Sequence, residues 1–444
     1  MMRSVVVVMG LIAGAGALSL AMRPASGAPP DPAAPVAALA ASPFVGSQAC
    51  AKCHEAQFHG WQETAHPLQE RIATKDTVIA DFATGEMLDL DGIPVRPFMD
   101  GDKFVIESSD AKGELVKYPI IRVVGGAMYK QRYVTRMPGG DDAVLPIEWN
   151  NREKKFQPFH ANSGFKPGQA EFWGGPSRSW AYRCAGCHVV GLELTPAKAA
   201  GEWPSTRYVE LGIGCESCHG AGREHASDPK KPIVNPARLS PDRVEAICAS
   251  CHSRGFADAA EGAPVQVDYP IAYKAGDDDL HRVFRFTKPL EGLATWGYWS
   301  NKQSRQHHQQ ANDFERSAHF LRAGMSCTTC HMSHGKDRYA LLRKNPRDNT
   351  LCVDCHADRA SPERLEAHTH HKAASTGSVC VECHMPKVVM HANPNDLRAH
   401  TQWNPQPALD AKVHAPDACT LCHKDQDRPW AAAAVDRWRF GDKK

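Results

Sequence analysis

The sequence has almost no excess of either charge: 52 Lys plus Arg stand against 50 Asp plus Glu in 444 residues, a formal net charge of +2. Nucleic-acid-binding proteins normally carry a clear basic excess, so this balance argues against that class. Aromatic residues are only 8% of the chain, beside 34 glycines and 32 prolines. Because the chain has little material for large apolar cores, we expect something other than side chains to fill part of its interior.

Long apolar runs are missing after residue 20. Before it, Met1-Met2-Arg3 gives a basic start, residues 4–20 are apolar, and residues 25–28 are small. This is the order of a secretory signal peptide, and about 17 apolar residues is at the lower limit for a membrane span. We therefore expect residues 1–28 to be removed, residues 29–46 to form an Ala/Pro-rich linker, and the protein to be periplasmic or extracellular with no span after signal removal.

Cysteine does not occur outside one pattern, Cys-x-x-Cys-His, which is present in eight copies. A shuffled chain of this composition would contain roughly 0.03 such motifs, so the pattern is not accidental. The sixteen cysteines are Cys50, Cys53, Cys184, Cys187, Cys215, Cys218, Cys248, Cys251, Cys327, Cys330, Cys352, Cys355, Cys380, Cys383, Cys419 and Cys422. The histidines that end the motifs are His54, His188, His219, His252, His331, His356, His384 and His423.

The motif is typical of covalent haem c attachment. Two thiols three residues apart lie on one side of a helical turn and can form thioethers with the porphyrin vinyl groups. The following His can then bind the iron as the proximal axial ligand. Zinc ribbons do not require a His after every second Cys, and a disulfide framework predicts irregular spacing, so both alternatives fit poorly. We expect eight covalently bound haem c groups.

Fifteen of the 23 histidines remain to supply a second axial ligand to each iron. His334 follows His331 by three residues, so at helical spacing the two rings point the same way and cannot bind opposite faces of one iron. If His334 is a ligand, it must therefore serve a neighbouring haem.

The spacing of the motifs predicts the fold class. About 50 residues per haem leaves little room for an independent apolar core, so we expect a stacked haem core. The predicted fold is mainly α with much irregular structure and a small antiparallel β insertion. We expect an octahaem domain over residues 47–444, with the β-rich insertion at 85–157 and a C-terminal helix at 427–440.

Short segments along the chain resemble one known family. They are Val45-Gly46-Ser47, Trp61, Ala65-His66, Met137-Pro138-Gly139-Gly140, Leu145-Pro146-Ile147, Phe159-His160, Gly214 to Gly220, His307-His308-Gln309-Gln310, Ser317-Ala318-His319, His331 to Gly335, Cys383 to Pro386 and Asp417-Ala418-Cys419. The pattern resembles exported multihaem cytochromes whose haem domain is sometimes fused to tetratricopeptide repeats. That family is related to hydroxylamine oxidoreductase and pentahaem nitrite reductase. The resemblance covers residues 45–444, with no tetratricopeptide repeats.

By this resemblance, eight histidines are expected as distal iron ligands. They are His66, His160, His225, His308, His319, His334, His371 and His400. Two alternatives stay open: His370 competes with His371, and His414 with His400.

Two functions fit these features. The first is electron transfer through haems that are mostly or wholly bis-His ligated, between redox partners such as a membrane quinol-side donor and a terminal reductase or outer acceptor. The alternative is an oxidoreductase of nitrogen or sulfur oxyanions, or of hydroxylamine, with one open-coordination haem. No motif carries Lys in place of His, and no Tyr follows His423. These absences favour electron transfer, so no catalytic residue is predicted.

Overall fold

The computed structural model describes residues 41–138, 140–159, 164–199, 201–257, 266–335 and 341–440. The predicted signal peptide, most of the predicted linker and His160 therefore lie outside the described residues.

Eight antiparallel strands form the largest sheet. Their bounds are β1 Glu70–Ile72, β2 Leu88–Leu90, β3 Ile93–Asp100, β4 Lys103–Ser109, β5 Leu115–Gly125, β6 Lys130–Arg136, β7 Asp142–Asn150 and β8 Lys155–Pro158. The order runs from β2 to β8 in sequence, and β1 adds to β5. Since every neighbour pair on this path is consecutive in the chain, short turns are sufficient to connect the strands.

The sheet curls into a nearly closed barrel with its own apolar core. β3 alternates buried and half-buried positions, as a strand with one face on a core does, and β7 is buried along its whole length. The bent strand β5 pairs with β4 through its first half and with β6 through its second, with a register irregularity between Ile120 and Arg122. Val95, Ile106, Tyr133, Leu145 and Ile147 fill the interior.

The expected mainly α fold with a small β insertion is wrong. Helix and strand contribute comparable shares, 28% and 22%, and the barrel-like sheet is a major unit. The apolar content averaged over the whole chain is low, and this average underestimates the core that side chains form by themselves. The apolar residues are instead concentrated in the segment of the sheet, which is enough for a core of side chains.

The other strands form two-stranded sheets. They are β9 Val189–Val190 with β12 Glu210–Leu211, β10 Glu193–Thr195 with β11 Ser205–Arg207, β13 Gly255–Ala257 with β14 Phe284–Phe286, and β15 Lys387–Val389 with β16 Leu397–Arg398.

The helices are short. They are α1 Glu55–Gln62, α2 Trp180–Arg183, α3 Ala185–His188, α4 Cys215–His219, α5 Arg223–Ser227, α6 Pro241–Ala249, α7 Leu280–Val283, α8 Gln310–Phe314, α9 Ala318–Leu321, α10 Cys327–Cys330, α11 Thr350–Val353, α12 Pro362–Thr369, α13 Cys380–His384, α14 Pro407–Lys412 and α15 Arg428–Phe440. Helices of four or five residues are not stable alone in water, so their order depends on packing. Within the described parts of the chain, no helix has the length and apolarity that a membrane crossing requires.

Candidate haem-attachment sites

Each Cys-x-x-Cys-His motif forms a helical turn. In five of the eight motifs, the backbone N–H of the His donates to the carbonyl oxygen of the first Cys at 2.9–3.0 Å. This turn brings both cysteines to one side and the His ring after them, as attachment to one porphyrin requires. All sixteen cysteines are free thiols, so the structure contains no disulfide between them. We number the motifs sites 1 to 8 in chain order.

Six motif histidines face a second histidine at nearly the same spacing. The ring-centroid distances are 6.3 Å for His54–His225, 6.2 Å for His219–His334, 6.3 Å for His252–His308, 6.0 Å for His356–His319, 6.1 Å for His384–His368 and 6.0 Å for His423–His371. Ring stacking does not explain this repeat, because two of the pairs are near-perpendicular and two are near-parallel.

The spacing fits an iron between the rings. A metal–imidazole bond of about 2.0 Å on each side, and about 1.1 Å from each ligating nitrogen to its ring centroid, give roughly 6.2 Å. The observed distances of 6.0–6.3 Å agree with this value. The residues present therefore fit haem iron at these six sites.

The structure brings five of the predicted distal histidines opposite a motif histidine: His225, His308, His319, His334 and His371. His334 lies opposite His219 of site 3, so it faces a different motif from its neighbour His331. His160 lies outside the described residues.

His368 is not among the predicted distal histidines, although its ring faces a motif histidine. It lies in the last turn of α12, opposite His384 of site 7, while His371 lies opposite His423 of site 8. The dense run of histidines at 368–371 is a signal for this region, but the family resemblance predicts one ligand here, His371, with His370 as its alternative. His370 instead ends the helix with φ 56° and stacks on Trp438 at 4.5 Å.

Some of the predicted ligands do not face a second histidine ring at this spacing. No ring pair of this spacing among the described residues includes His66, His188 or His400. Burial lowers the pKa of His66, His188 and His400 to about 4, and His331 also lowers that of His400. These three rings are therefore neutral at neutral pH, the form that binds a metal.

Thiols of different motifs contact one another. Four pairs lie within hydrogen-bonding reach: Cys50–Cys215, Cys187–Cys251, Cys248–Cys327 and Cys352–Cys380. In three further pairs, one thiol is close enough to raise the pKa of the other electrostatically: Cys248 raises that of Cys218, Cys355 that of Cys330, and Cys422 that of Cys383. Together these contacts link the sites in the order 1, 3, 4, 5, 6, 7, 8.

Site 2 lies beside this series as a branch. Its Cys187 contacts Cys251 of site 4, and the Cys187 thiol also lies 3.8 Å from the carbonyl oxygen of Ser250. Among the described residues, no contact links a site 2 thiol to a third motif. Site 2 packs against the barrel-like sheet through Trp180, which is fully buried with Val134 and Val144.

A group of cationic and imidazole side chains, the basic cluster, lies near site 2. It consists of Lys130, Arg132, Arg254, His307 and His391. The His307 and His391 ring centroids are 4.8 Å apart. Arg132 lowers the pKa of His391 and also that of His188, so both rings lie within range of one guanidinium.

Positive charge in the basic cluster exceeds its acidic partners. Lys130 and Arg132 share one carboxylate, Glu148, at 3.4 and 2.8 Å. Arg254 donates to the His307 carbonyl oxygen at 2.8 Å and pairs with no carboxylate among the described residues. Burial, with the nearby positive charges, lowers the pKa of Lys130 to about 7. The cluster is therefore suited to bind an anion.

Comparisons with known proteins agree with the attachment sites. The family of cytochrome c554 and c-prime matches residues 152–220, and the doubled CXXCH motif matches residues 319–361. The multihaem cytochrome MtrA of Shewanella baltica is 26% identical over 207 residues, covering 44% of this chain. The dissimilatory sulfite reductase MccA of Wolinella succinogenes is 21% identical over 393 residues, covering 77% of this chain. The chain spans only 57% and 50% of the lengths of these two relatives.

The fold has a counterpart among solved structures. The outer cell wall cytochrome OcwA has a TM-score of 0.65 at 22% identity, over 89% of this chain and 87% of OcwA. The repeated attachment turns and the facing imidazoles define a c-type cytochrome with haem c as its cofactor. The chain belongs to the multihaem c-type cytochromes.

Proposed function

We propose that the protein transfers electrons along eight covalently bound haem c groups that are mostly or wholly held between two imidazoles. Haem iron, when bound, supplies a one-electron Fe(III)/Fe(II) couple. The supporting observation is the repeat of facing histidine rings 6.0–6.3 Å apart. Two imidazoles fill both axial positions, which leaves no room for a substrate and favours a low potential.

The contacts between motifs support a continuous route. Sites 1 and 8 are the ends of the series of sites whose thiols lie close to one another. Both ends lie partly at the surface, since Cys53 and Cys422 are exposed. Redox partners would exchange electrons at these ends, with a membrane quinol-side donor at one and a terminal reductase or outer acceptor at the other. We infer an exported protein, periplasmic or extracellular, from its signal-peptide pattern and its likeness to a cell-wall cytochrome.

Electron paramagnetic resonance of the haem-loaded ferric protein tests this proposal. We expect only low-spin iron, of two kinds. Near-parallel rings, such as His384–His368 at 1°, act on the same iron d orbital and give a rhombic signal. Near-perpendicular rings, such as His252–His308 at 77°, leave two d orbitals nearly equal and give a highly anisotropic signal. A high-spin signal of about one-eighth of the iron would contradict the wholly bis-His form.

Removing one distal imidazole is expected to open one site. His368→Ala takes away the ring facing His384, so about one-eighth of the ferric iron should become high-spin, with the other seven sites unchanged. The measurement is the high-spin signal per total iron. His59→Ala is the matched control, because this side chain is 67% exposed and its ion-pair partner is the exposed Glu55. An unchanged spin state in His368→Ala would exclude His368 as a ligand.

The basic cluster favours a second candidate function, reduction of a small oxyanion at site 2. Arg254 forms no direct ion pair among the described residues, with Asp268 acting on it only at longer range, and the Nδ1 atoms of His307 and His391 have no hydrogen-bond partner there. These groups could hold an anion close to His188. One relative is named a sulfite reductase, which makes sulfite a suitable probe. The competing occupant is a haem propionate, which is also an anion.

Sulfite titration separates these occupants. If the second candidate is correct, sulfite changes the spectrum of about one-eighth of the iron, and Lys130→Met weakens its binding about tenfold, which corresponds to about 1.4 kcal/mol. Lys117→Met, at an exposed lysine, should leave binding unchanged. His160→Ala should then have no effect on spin state, whereas a new high-spin signal would assign His160 as the ligand that closes a site. No spectral response to sulfite would assign the cluster to propionates.

A further inference from the structure

Glu70 is a buried carboxylate between the barrel-like sheet and site 2. Its side chain is 0% exposed. Oε1 accepts from Nε of Arg122 at 2.5 Å, and Oε2 accepts from Nε1 of Trp180 at 3.0 Å. Oε2 also lies 3.6 Å from Nδ1 of His188, the motif histidine of site 2. The two oxygens thus have separate roles: one faces the guanidinium, the other faces site 2.

Other ligand candidates face neutral acceptors at the same ring position. Their Nδ1 atoms lie against backbone carbonyl oxygens: His219 with Val234 at 2.8 Å, His225 with Lys231 at 2.8 Å, His371 with Thr369 at 2.6 Å, His384 with Trp403 at 3.1 Å and His400 with Arg398 at 3.1 Å. His188 differs from these five because its Nδ1 faces a carboxylate. Hydrogen bonds to a charged acceptor are roughly twice as strong as neutral ones.

Nδ1 of His188 has no hydrogen-bond partner within ordinary geometry among the described residues. When Nε2 binds a metal, Nδ1 carries the proton, and leaving a buried N–H unpaired costs about 1–3 kcal/mol. A gap of 3.6 Å is too long for a hydrogen bond, yet a small ring movement closes it. The carbonyl oxygen of Gln69 is the competing acceptor beside the ring; it also accepts from the N–H of Gly125 at 2.8 Å, and it is a neutral acceptor like those of the other five rings.

We propose that Glu70 is a positioning residue that accepts the Nδ1–H of His188 and makes this imidazole the strongest axial donor of the eight sites. A ligand with partial imidazolate character stabilises Fe(III) over Fe(II). Site 2 therefore has the lowest midpoint potential in the protein. The inference rests on the proposed function only in taking His188 as a proximal haem ligand.

The charge of Glu70 is supported from the sheet. Arg122 bridges Glu70 and Asp142, and Asp142 also pairs with Arg136, so two arginines balance two carboxylates. Burial raises the pKa of Glu70, whereas its contacts with Arg122 and Trp180 act in the opposite direction, so the oxygen beside His188 belongs to a carboxyl group that is not left unpaired. Because site 2 is the end of a branch, a low potential there would make it the most reducing point of the protein rather than a step of the main series.

Glu70→Gln tests the proposal by spectroelectrochemical titration of the holoprotein. We expect the midpoint potential of one component to become more positive. This component should carry about one-eighth of the total absorbance change, and the midpoint potentials of the others should not change. Cys184→Ser with Cys187→Ser identifies that component, because this variant lacks site 2. Asp142→Asn is the matched control, since it removes the other carboxylate of Arg122 without touching His188. Thermal unfolding of both variants shows whether the two ion-pair losses destabilise the fold equally.

The proposal would be overturned if Glu70→Gln and Asp142→Asn shift the midpoint potential of site 2 equally, or if Glu70→Gln does not shift it. If Glu70→Gln does not accumulate, Glu70→Asp provides the second variant: it keeps the charge but withdraws the carboxylate, and should give a smaller positive shift. An unshifted site 2 component in Glu70→Asp, too, contradicts the proposal. Failure of the proposed function would appear separately, as missing haem mass or missing low-spin iron in the unaltered protein.

Discussion

Replacing Cys327 and Cys330 by serine is expected to stop electrons that enter at site 8 from reaching site 1. Site 5 is the link between sites 1–4 and sites 6–8, through the contact of Cys248 with Cys327 and the proximity of Cys330 to Cys355. Without both thioethers, site 5 does not retain its haem. Tunnelling falls steeply with distance, so transfer across the gap should slow by orders of magnitude.

The measurement requires a known site of electron injection and a known site at which reduction is detected. A ruthenium photosensitiser on Asp436→Cys, at an exposed position of α15, injects electrons near site 8, where Trp438 packs on His371. His225→Ala opens site 1, so that carbon monoxide binding reports its reduction. The matched control is Cys184→Ser with Cys187→Ser, which removes the branch at site 2 and should leave this transfer intact. The inferred route fails if the control blocks transfer or the site 5 variant does not.

A chain matured without haem is expected to keep the barrel-like sheet and lose most other structure. The sheet region has a core of seventeen buried apolar residues, whereas the C-terminal cluster has three, Val388, Val389 and Ala399. The motif helices of four or five residues cannot form alone. Hydrogen exchange of the haem-free chain should therefore protect amides in β3–β8 and leave residues 341–426 exchanging as in an unfolded peptide.

The haem-loaded protein is the control for this experiment, and it should protect both regions. Protection of residues 341–426 without haem would mean that side chains alone stabilise the C-terminal part. Loss of protection in β3–β8 would mean that the sheet needs the attachment sites, through contacts such as Trp180 with Val134 and Val144.

The candidate distal histidines divide into those whose site the sequence could predict and those whose site it could not. His334 could be assigned to a neighbouring site from its three-residue spacing to His331, and the structure places it opposite His219. His368 could not be separated from His370 and His371 in the same way. The αL turn at His370 directs these adjacent rings to different surroundings, and backbone conformation at a helix end is not encoded by composition.

The fold shows the same limit. Short β-type runs were recognisable between residues 85 and 157, because alternation of apolar and polar residues is a local signal. Their assembly into a sheet that also includes Glu70–Ile72 depends on pairing with β5, and its curvature on register irregularities such as that between Ile120 and Arg122. These features depend on contacts between distant segments.

The sequence by itself determined the chemical class of this protein, because thioether attachment and the proximal histidine lie within five consecutive residues. Only the tertiary structure decided which second imidazole faces each motif, in what order the motifs touch, and that a carboxylate of the sheet lies behind His188. The physical reason is that an axial ligand has to come from the opposite face of the cofactor. That face is usually built by another part of the chain, whose position is fixed by packing rather than by local spacing.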